Sequence, residues 1–314
     1  MTRPARLCVV ALAGFALLLA GCTPAGSAAE RVEPATNPVY PEVRTYPDIP
    51  VIADLPYGDI DGQQLDVCLP DEPDDGTDDD DDAARPAIIV IHGGSWQRGD
   101  KSNINWRSVC QWFASEGFVS VSVNYRLAPV TTFPAQLQDM QTVVRWLRDP
   151  AQISNYDIDP DRIGAFGGSA GGNLAALLGT AGSGSWTEDA RVAAVADFSG
   201  PVDLRTAIPT VDSYSQDFGT VVLEYLGCTD FDDCPASAQA SPVTLVDESD
   251  PPFFVAHSTE EFIPLSQSES LVATLRGNGI PTTFVTVEGT LHSIAMLDDD
   301  MRDRVLAFFR YALR

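Results

Sequence analysis

One serine lies in a run of small residues that is typical of an activated nucleophile. Ser169 is within the segment GGSAGG, which follows an apolar stretch of strand length and precedes an Ala- and Leu-rich helical stretch. Small neighbours permit a very tight turn, which exposes the serine oxygen at the positive end of the following helix. The pattern predicts that Ser169 is a nucleophile; the alternative is a chance Gly-rich loop.

A second glycine-containing segment is suited to binding a negatively charged oxygen. The sequence HGGSW, residues 92–96, also follows an apolar stretch. We expect the backbone N–H groups of Gly93, Gly94 and Ser95, with that of Ala170 beside the nucleophile, to form an oxyanion hole. The alternative is an ordinary Gly-rich turn. The presence of both segments in one chain favours the oxyanion hole.

A nucleophilic serine needs a general base, and the chain has 3 histidines. His92 belongs to the glycine segment, and His257 ends a predicted strand. His292 follows the last predicted strand. Its place after the nucleophile matches the order of nucleophile, acid and base in chains whose serine lies in a strand-to-helix turn. His292 is therefore the predicted base, with an ordinary surface histidine as the alternative.

Apolar stretches of strand length alternate with stretches of helical periodicity. Strands are expected at 87–91, 118–123, 163–166, 192–198, 253–256 and 282–287, and helices at 104–116, 135–147, 172–178, 266–278 and 301–313. This alternation predicts an α/β fold with a mostly parallel sheet and helices on both faces. Residues 64–69 are expected to add an antiparallel edge strand. Residues 203–247, rich in Pro, Gly and acids, should form a small irregular cap over the site.

The composition excludes some classes of partner. The formal net charge is -26 with 19 Lys and Arg in 314 residues, so a nucleic-acid partner is not expected. Much of the excess negative charge lies in residues 71–84, which we interpret as an acidic surface insertion; calcium binding is the alternative. No metal site is expected. The sequence leaves the oligomeric state open.

The N-terminal residues have the features of an export signal. A basic start and a short apolar run end in Leu-Ala-Gly-Cys, which resembles the bacterial lipobox and predicts lipidation of Cys22. An uncleaved anchor helix is the alternative. The predicted organisation is a signal peptide at 1–21, a flexible tether at 22–50 and one domain at 51–314. We expect an exported protein, lipid-anchored to the outer face of the bacterial cell membrane.

Four cysteines remain after the leader and Cys22 are set aside, an even number in an oxidising compartment. Three pairings are possible. Cys228 and Cys234 flank a short acidic loop, so we favour their pairing, which leaves Cys68 with Cys110. A zinc site is the alternative, although the chain has no C-x2-C pair.

The order of motifs along the chain carries a resemblance to a known group. The segments are HGGSW, GDK at 99–101, NYRLAP at 124–129, FPAQLQD at 133–139, DPDRI at 159–163, GGSAGG at 167–172 and GPVDL at 200–204. The chain resembles bacterial esterases of the hormone-sensitive-lipase-like and feruloyl-esterase-like branches of the α/β-hydrolases from about residue 52 onward. The resemblance implies the α/β-hydrolase fold, a Ser–acid–His triad and no cofactor. It also implies hydrolysis of short carboxylic esters, including acyl groups on sugars or polysaccharides.

The acid of the triad is where the chain departs from this group. The related proteins read His-Gly-x-x-Asp-x-x-Val-Pro after the penultimate strand, whereas this chain reads HSTEEFIP at 257–264, one residue shorter and with Glu for Asp. Counting back from Pro264 selects Glu260, and counting forward from His257 selects Glu261. We favour Glu260, because a strand end should absorb a deletion more easily than a Pro-anchored turn. Asp203 is a further alternative.

Two other functions compete with ester hydrolysis. One is a peptidase or amidase of the same fold, and the other is a catalytically inactive envelope-binding protein. The side chain of Trp96 and the cap are expected to wall a narrow pocket, which would favour acetyl and propionyl esters.

Overall fold

The computed structural model describes residues 44–70, 84–209 and 215–314. The predicted signal peptide, the lipidation site Cys22, most of the tether and almost all of the acidic insertion lie outside these ranges. In the described part, no helix is both long and apolar enough to cross a membrane.

The centre of the domain is one eight-stranded sheet. In chain order its strands are β1 Val51–Pro56, β2 Gln64–Cys68, β3 Arg85–Ile91, β4 Val119–Val123, β5 Ile158–Gly168, β6 Ala194–Phe198, β7 Phe253–Ser258 and β8 Thr282–Val287. Their spatial order is β1-β2-β4-β3-β5-β6-β7-β8. From β4 onward, every neighbouring pair is parallel, whereas the β1–β2 and β2–β4 pairs are antiparallel. The predicted α/β-hydrolase fold is confirmed.

One strand was missed, and this corrects the predicted sheet edge. We expected residues 64–69 to form an edge strand. The structure instead places β2 between β1 and β4, so β1 is the edge. The β1 sequence VIADLP lies mostly on the surface and pairs irregularly with β2. Its apolar pattern was therefore too weak to predict a strand.

Eight α-helices are described. They are α1 Ile104–Ser115, α2 Ala135–Leu147, α3 Pro150–Tyr156, α4 Ala170–Thr180, α5 Ser215–Leu226, α6 Pro235–Gln239, α7 Leu265–Gly277 and α8 Asp299–Ala312. The five predicted helices correspond to α1, α2, α4, α7 and α8. The other three are short or lie in the predicted cap.

The pleat of β3 explains why helices cover both faces of the sheet. Ile89 and Ile91 pack in one hydrophobic layer with residues of α2, α4 and α7. Ile88 and Val90 pack in the opposite layer with residues of α1 and α8. Because successive side chains of a strand point to opposite faces, a run of apolar residues requires a cover on each side.

The cap segment is more regular than expected. It contains α5 and α6, and the apolar residues of α5 recur at helical spacing as Phe218, Val222 and Tyr225. Trp96 is fully buried and stacks on Tyr225 with ring centroids 4.2 Å apart. The expectation that Trp96 lines the pocket is therefore wrong, because its indole is buried against Tyr225 of α5.

The N-terminal boundary of the domain also lies earlier than predicted. Ile49 is buried, and Gln111 Nε2 on α1 donates hydrogen bonds to the carbonyl oxygens of Tyr46 and Ile49 at 3.0 and 3.1 Å. Residues 44–50 therefore belong to the packed domain. A flexible tether that extends to residue 50 is wrong.

Both predicted disulfides are present. Cys68 at the end of β2 pairs with Cys110 in α1, and Cys228 pairs with Cys234 across the acidic loop after α5. The first cross-link joins the antiparallel part of the sheet to a covering helix. The second closes a small ring next to the cap helix. All four cysteines are used, which excludes them as ligands of a zinc ion.

Candidate active site

The turn that carries Ser169 has the sharp geometry predicted from its small residues. Ser169 follows the last residue of β5 and precedes α4, with φ 58° and ψ -126°. Its N–H donates a 2.8 Å hydrogen bond to the carbonyl of Phe198 at the end of β6. A side chain at Gly167 would collide with the backbone of Gly171. Glycine at 167 is therefore needed for the turn that presents Ser169.

The predicted oxyanion segment lies directly against this turn. A Cβ atom at Gly93 would be 2.9 Å from the carbonyl oxygen of Gly168 and 3.2 Å from Ser169 Cβ, which leaves room for glycine alone. Among the described residues, no protein acceptor takes the N–H of Gly93, Gly94, Ser95 or Ala170. These amides are thus unpaired, and Gly93 and Ala170 adjoin the serine, as an oxyanion hole requires.

Backbone strain is concentrated around the same site. In the described part of the chain, eight residues other than glycine have positive φ, and five of them lie here. They are Ser95, Trp96, Ser169, Ser199 and Ser293, with φ between 56° and 60°. Such conformations cost free energy and persist where the surrounding structure enforces them, often at functional sites.

His292 lies in the loop after β8, and 23% of its side chain is exposed. Its Nδ1 forms a close hydrogen bond with Glu261 Oε2. The next residue, Ser293, meets the nucleophile turn, because its Oγ occupies the space where a Gly168 side chain would project. No hydrogen bond joins His292 to Ser169 Oγ in the described structure, and this contact commonly tightens only with substrate.

The preferred acid of the sequence analysis is wrong in its position, and the alternative residue holds the place. Glu260 is exposed, and its N–H donates to the carbonyl of Gly289 at 2.9 Å. Glu261 is 3% exposed and contacts His292. The strand end did not absorb the deletion, because β7 continues through His257 and Ser258, which pair with Thr286 and Val287.

The Glu261 carboxylate is held from several sides. Oε1 accepts the hydroxyl of Ser199 at 2.5 Å and the N–H of Ser258 at 3.2 Å, which leaves Oε2 for His292. His257 Nε2 also lies 3.2 Å from Oε1. Hydrogen bonds from several donors fix the orientation of a carboxylate.

A second buried carboxyl group, that of Asp197, lies near enough to Glu261 for the two charges to interact. Asp197 in β6 is fully buried, and its Oδ1 accepts the N–H of Gly200 at 2.9 Å. Burial raises the pKa of Asp197 to about 7, and the negative charge of Glu261 adds to the effect. Among the described residues, no hydrogen bond joins Asp197 to His292, whereas Glu261 contacts the imidazole directly.

The remaining histidines and Asp203 take structural positions. His92 is buried, stacks on Tyr125 and bonds through Nδ1 to the carbonyl of Gly93 at 2.8 Å. His257 bonds to Ser268 Oγ and to the carbonyl of Ile263, and burial lowers its pKa. Asp203 forms an ion pair with Arg205. Of the described histidines, His292 alone has both an acid partner and partial exposure.

The comparisons with known proteins agree with this geometry. The sequence matches the BD-FAE family over residues 76–275, more than half of the chain. The chain belongs to the BD-FAE family. The matched region contains the oxyanion segment, Ser169 and Glu261 and ends before His292, so the family match does not bear on the base.

The sequence is also similar to individual proteins that are named esterases. Esterase LipC of Mycobacterium tuberculosis is 30% identical over 257 residues, which cover 77% of this chain and 59% of LipC. Esterase LipQ of the same organism is 29% identical over 230 residues, 71% of this chain and 53% of LipQ. The chain thus spans little more than half the length of these relatives. A truncated carbohydrate esterase from gut microbiota superposes with a TM-score of 0.69 at 24% identity, covering 84% of this chain and 96% of that chain, which supports the fold.

Proposed function

We propose that the protein is a serine hydrolase that cleaves carboxylic esters through an acyl-enzyme on Ser169. The observation that carries the proposal is the pairing of His292 Nδ1 with Glu261 in loops that adjoin the Ser169 turn and its unpaired amides. A serine, a base and an orienting acid beside oxyanion donors are the parts of a serine-esterase site.

The reaction follows from the positions of these groups. Ser169 Oγ attacks the ester carbonyl carbon while His292 Nε2 takes its proton, and Glu261 stabilises the imidazolium. The N–H groups of Gly93, Gly94, Ser95 and Ala170 receive the developing oxyanion. His292 returns the proton to the leaving alcohol, and the acyl group stays on Ser169. Water, activated by His292, then releases the acid.

The aromatic residues beside the base support a preference for short acyl groups. Phe262 is half-buried, and its ring centroid lies 4.5 Å from that of His292. Phe218 of α5 packs edge-on against Phe262, with ring centroids 5.8 Å apart. This pair takes the role that the sequence analysis gave to Trp96. Acetyl and propionyl groups, including those on sugars, fit such a restricted space.

We expect the purified protein to hydrolyse p-nitrophenyl acetate and propionate faster than the palmitate. In the Phe262→Ala variant the kcat/KM ratio of octanoyl to acetyl ester should rise about 10-fold, because the pocket gains the volume of an aromatic ring. Phe308→Ala on α8, on the far face of the sheet, removes a comparable ring and should leave the ratio unchanged. Faster turnover of palmitoyl than of acetyl ester by the wild type would contradict the proposal.

The proposed location rests on the N-terminal sequence. We propose that Cys22 is the lipidated first residue of the mature protein and anchors the domain to the outer face of the cell membrane. We expect the wild type to enter the detergent phase in detergent partitioning, and Cys22→Ser to be released or stranded without a lipid anchor, because one thiol carries the lipid. Cys8→Ser, within the expected leader, is the matched control and should partition like the wild type. Recovery of the wild type in the aqueous phase would refute the anchor.

A further inference from the structure

Ser199 contacts the elements that carry the acid and the base of the proposed triad, and its neighbour Phe198 contacts the turn of the nucleophile. It is the first residue after β6, it is fully buried, and its φ is 57°. Its N–H donates to the carbonyl of Ala256 in β7 at 2.9 Å. The carbonyl of the preceding residue, Phe198, accepts the N–H of Ser169. The backbone at 198–199 therefore ties the nucleophile turn to the strand that leads to the acid.

The direction of the hydrogen bonds of Ser199 Oγ follows from the chemistry of its partners. The backbone N–H of Ser293 lies 3.1 Å from Ser199 Oγ and can only donate, so Oγ is the acceptor in that bond. The single hydroxyl proton is then left for Glu261 Oε1, 2.5 Å away. One hydroxyl thus connects the residue after His292 with the carboxylate that faces His292.

The geometry of the carboxylate depends on this connection. Three groups lie against Glu261 Oε1: the Ser199 hydroxyl at 2.5 Å, and the Ser258 N–H and His257 Nε2 at 3.2 Å each. The hydroxyl bond is the shortest by 0.7 Å. Removal of the hydroxyl leaves the backbone of Ser293 without its acceptor as well. The acid and the base would therefore both lose an anchor.

We propose that Ser199 is a positioning residue that aligns Glu261 with His292 and acts on the reaction through this pair. The proposal rests on the proposed esterase function and extends it to a residue outside the triad. Ser199 has a left-handed conformation that glycine would adopt at lower cost, and the contacts of its hydroxyl are a reason for a serine at this position.

The variant Ser199→Gly tests this role, because glycine accepts the positive φ and removes the side chain with its hydroxyl. We expect kcat for p-nitrophenyl acetate to fall about 10- to 100-fold, the range for loss of a hydrogen bond to a charged group, with KM nearly unchanged. Ser199→Ala, which keeps the Cβ atom and removes the hydroxyl alone, should give a similar loss. Ser120→Ala, which removes another fully buried serine hydroxyl in β4, is the matched control and should retain wild-type kcat.

A double-mutant cycle separates positioning from a general structural effect. In a Glu261→Gln background, Ser199→Gly should change kcat by less than about 2-fold, because residues that act as a unit are not additive. A loss in that background as large as in the wild type would overturn the proposal, as would full activity of Ser199→Gly. A wild type without ester turnover would instead overturn the proposed function, and this inference with it. Thermal melting of every variant identifies any that fail to fold, and the alanine and glycine variants provide independent measurements.

Discussion

Ser169→Ala is expected to lower kcat for p-nitrophenyl acetate by about five to six orders of magnitude with the fold intact. The size follows from the loss of the only group that forms the acyl bond, and nucleophile deletions in serine hydrolases have effects of this order. Alanine keeps the Cβ atom that lies against Gly93, so the tight contact between the two loops survives. The thermal midpoint should therefore be close to that of the wild type.

Labelling with a fluorophosphonate provides the second measurement. The wild type should react at a single site, and a peptide map should assign the adduct to Ser169. Ser185→Ala, an exposed serine on a loop, is the matched control and should react like the wild type. An adduct that persists in Ser169→Ala, or turnover within 10-fold of the wild type, would mean that another residue is the nucleophile.

The features that could be predicted from the sequence are those that depend on neighbours along the chain. The strand before Ser169, the small residues of the turn and the helix after it are contiguous, so local sterics determine the geometry. The helices α2 and α7 have clear apolar periodicity and lie within one residue of their predicted bounds. The glycines of the oxyanion segment could also be recognised locally, after β3, although their contact with the nucleophile turn depends on the pairing of β3 with β5.

The features that were missed depend on contacts distant in sequence. Ser199 is separated by 62 residues from Glu261 and by 94 from Ser293, and no spacing rule connects them. The helix α5 was missed for a different reason. Its segment contains enough Gly and acidic residues to resemble a loop, and only the spacing of Phe218, Val222 and Tyr225 shows the face that packs on Trp96.

The assignment of the acid was wrong by one residue because the end of β7 was misjudged. Apolar character ends near Ala256, but backbone pairing with β8 continues for two more residues. Each residue of extended strand reverses the direction of the side chain. In the turn that follows, Glu260 points to solvent and Glu261 points to the site. A polar strand end leaves no apolar signal, so the choice between adjacent carboxylates required the structure.

The two glutamates give the second large prediction. Glu261→Gln is expected to lower kcat by about four orders of magnitude, the size of the effect known for an acid-to-amide change in a serine triad. The amide that replaces the carboxylate can donate its N–H to His292 Nδ1. That contact favours the tautomer with the proton on Nε2, and such an imidazole cannot accept the proton of Ser169. The near-equal size of Gln and Glu should keep the fold intact.

Glu260→Gln is the matched control, with the same chemical change one residue earlier. Glu260 is exposed, and among the described residues its hydrogen bond to Gly289 is made by the backbone N–H. The kcat of the Glu260→Gln variant should therefore remain within about 2-fold of the wild type. The decisive measurement is kcat of both variants on p-nitrophenyl acetate, together with thermal melting. A large loss in Glu260→Gln alone would return the role to Glu260. Full activity in both variants would remove this loop from the catalytic machinery and leave the contact between Glu261 and His292 with a purely structural purpose.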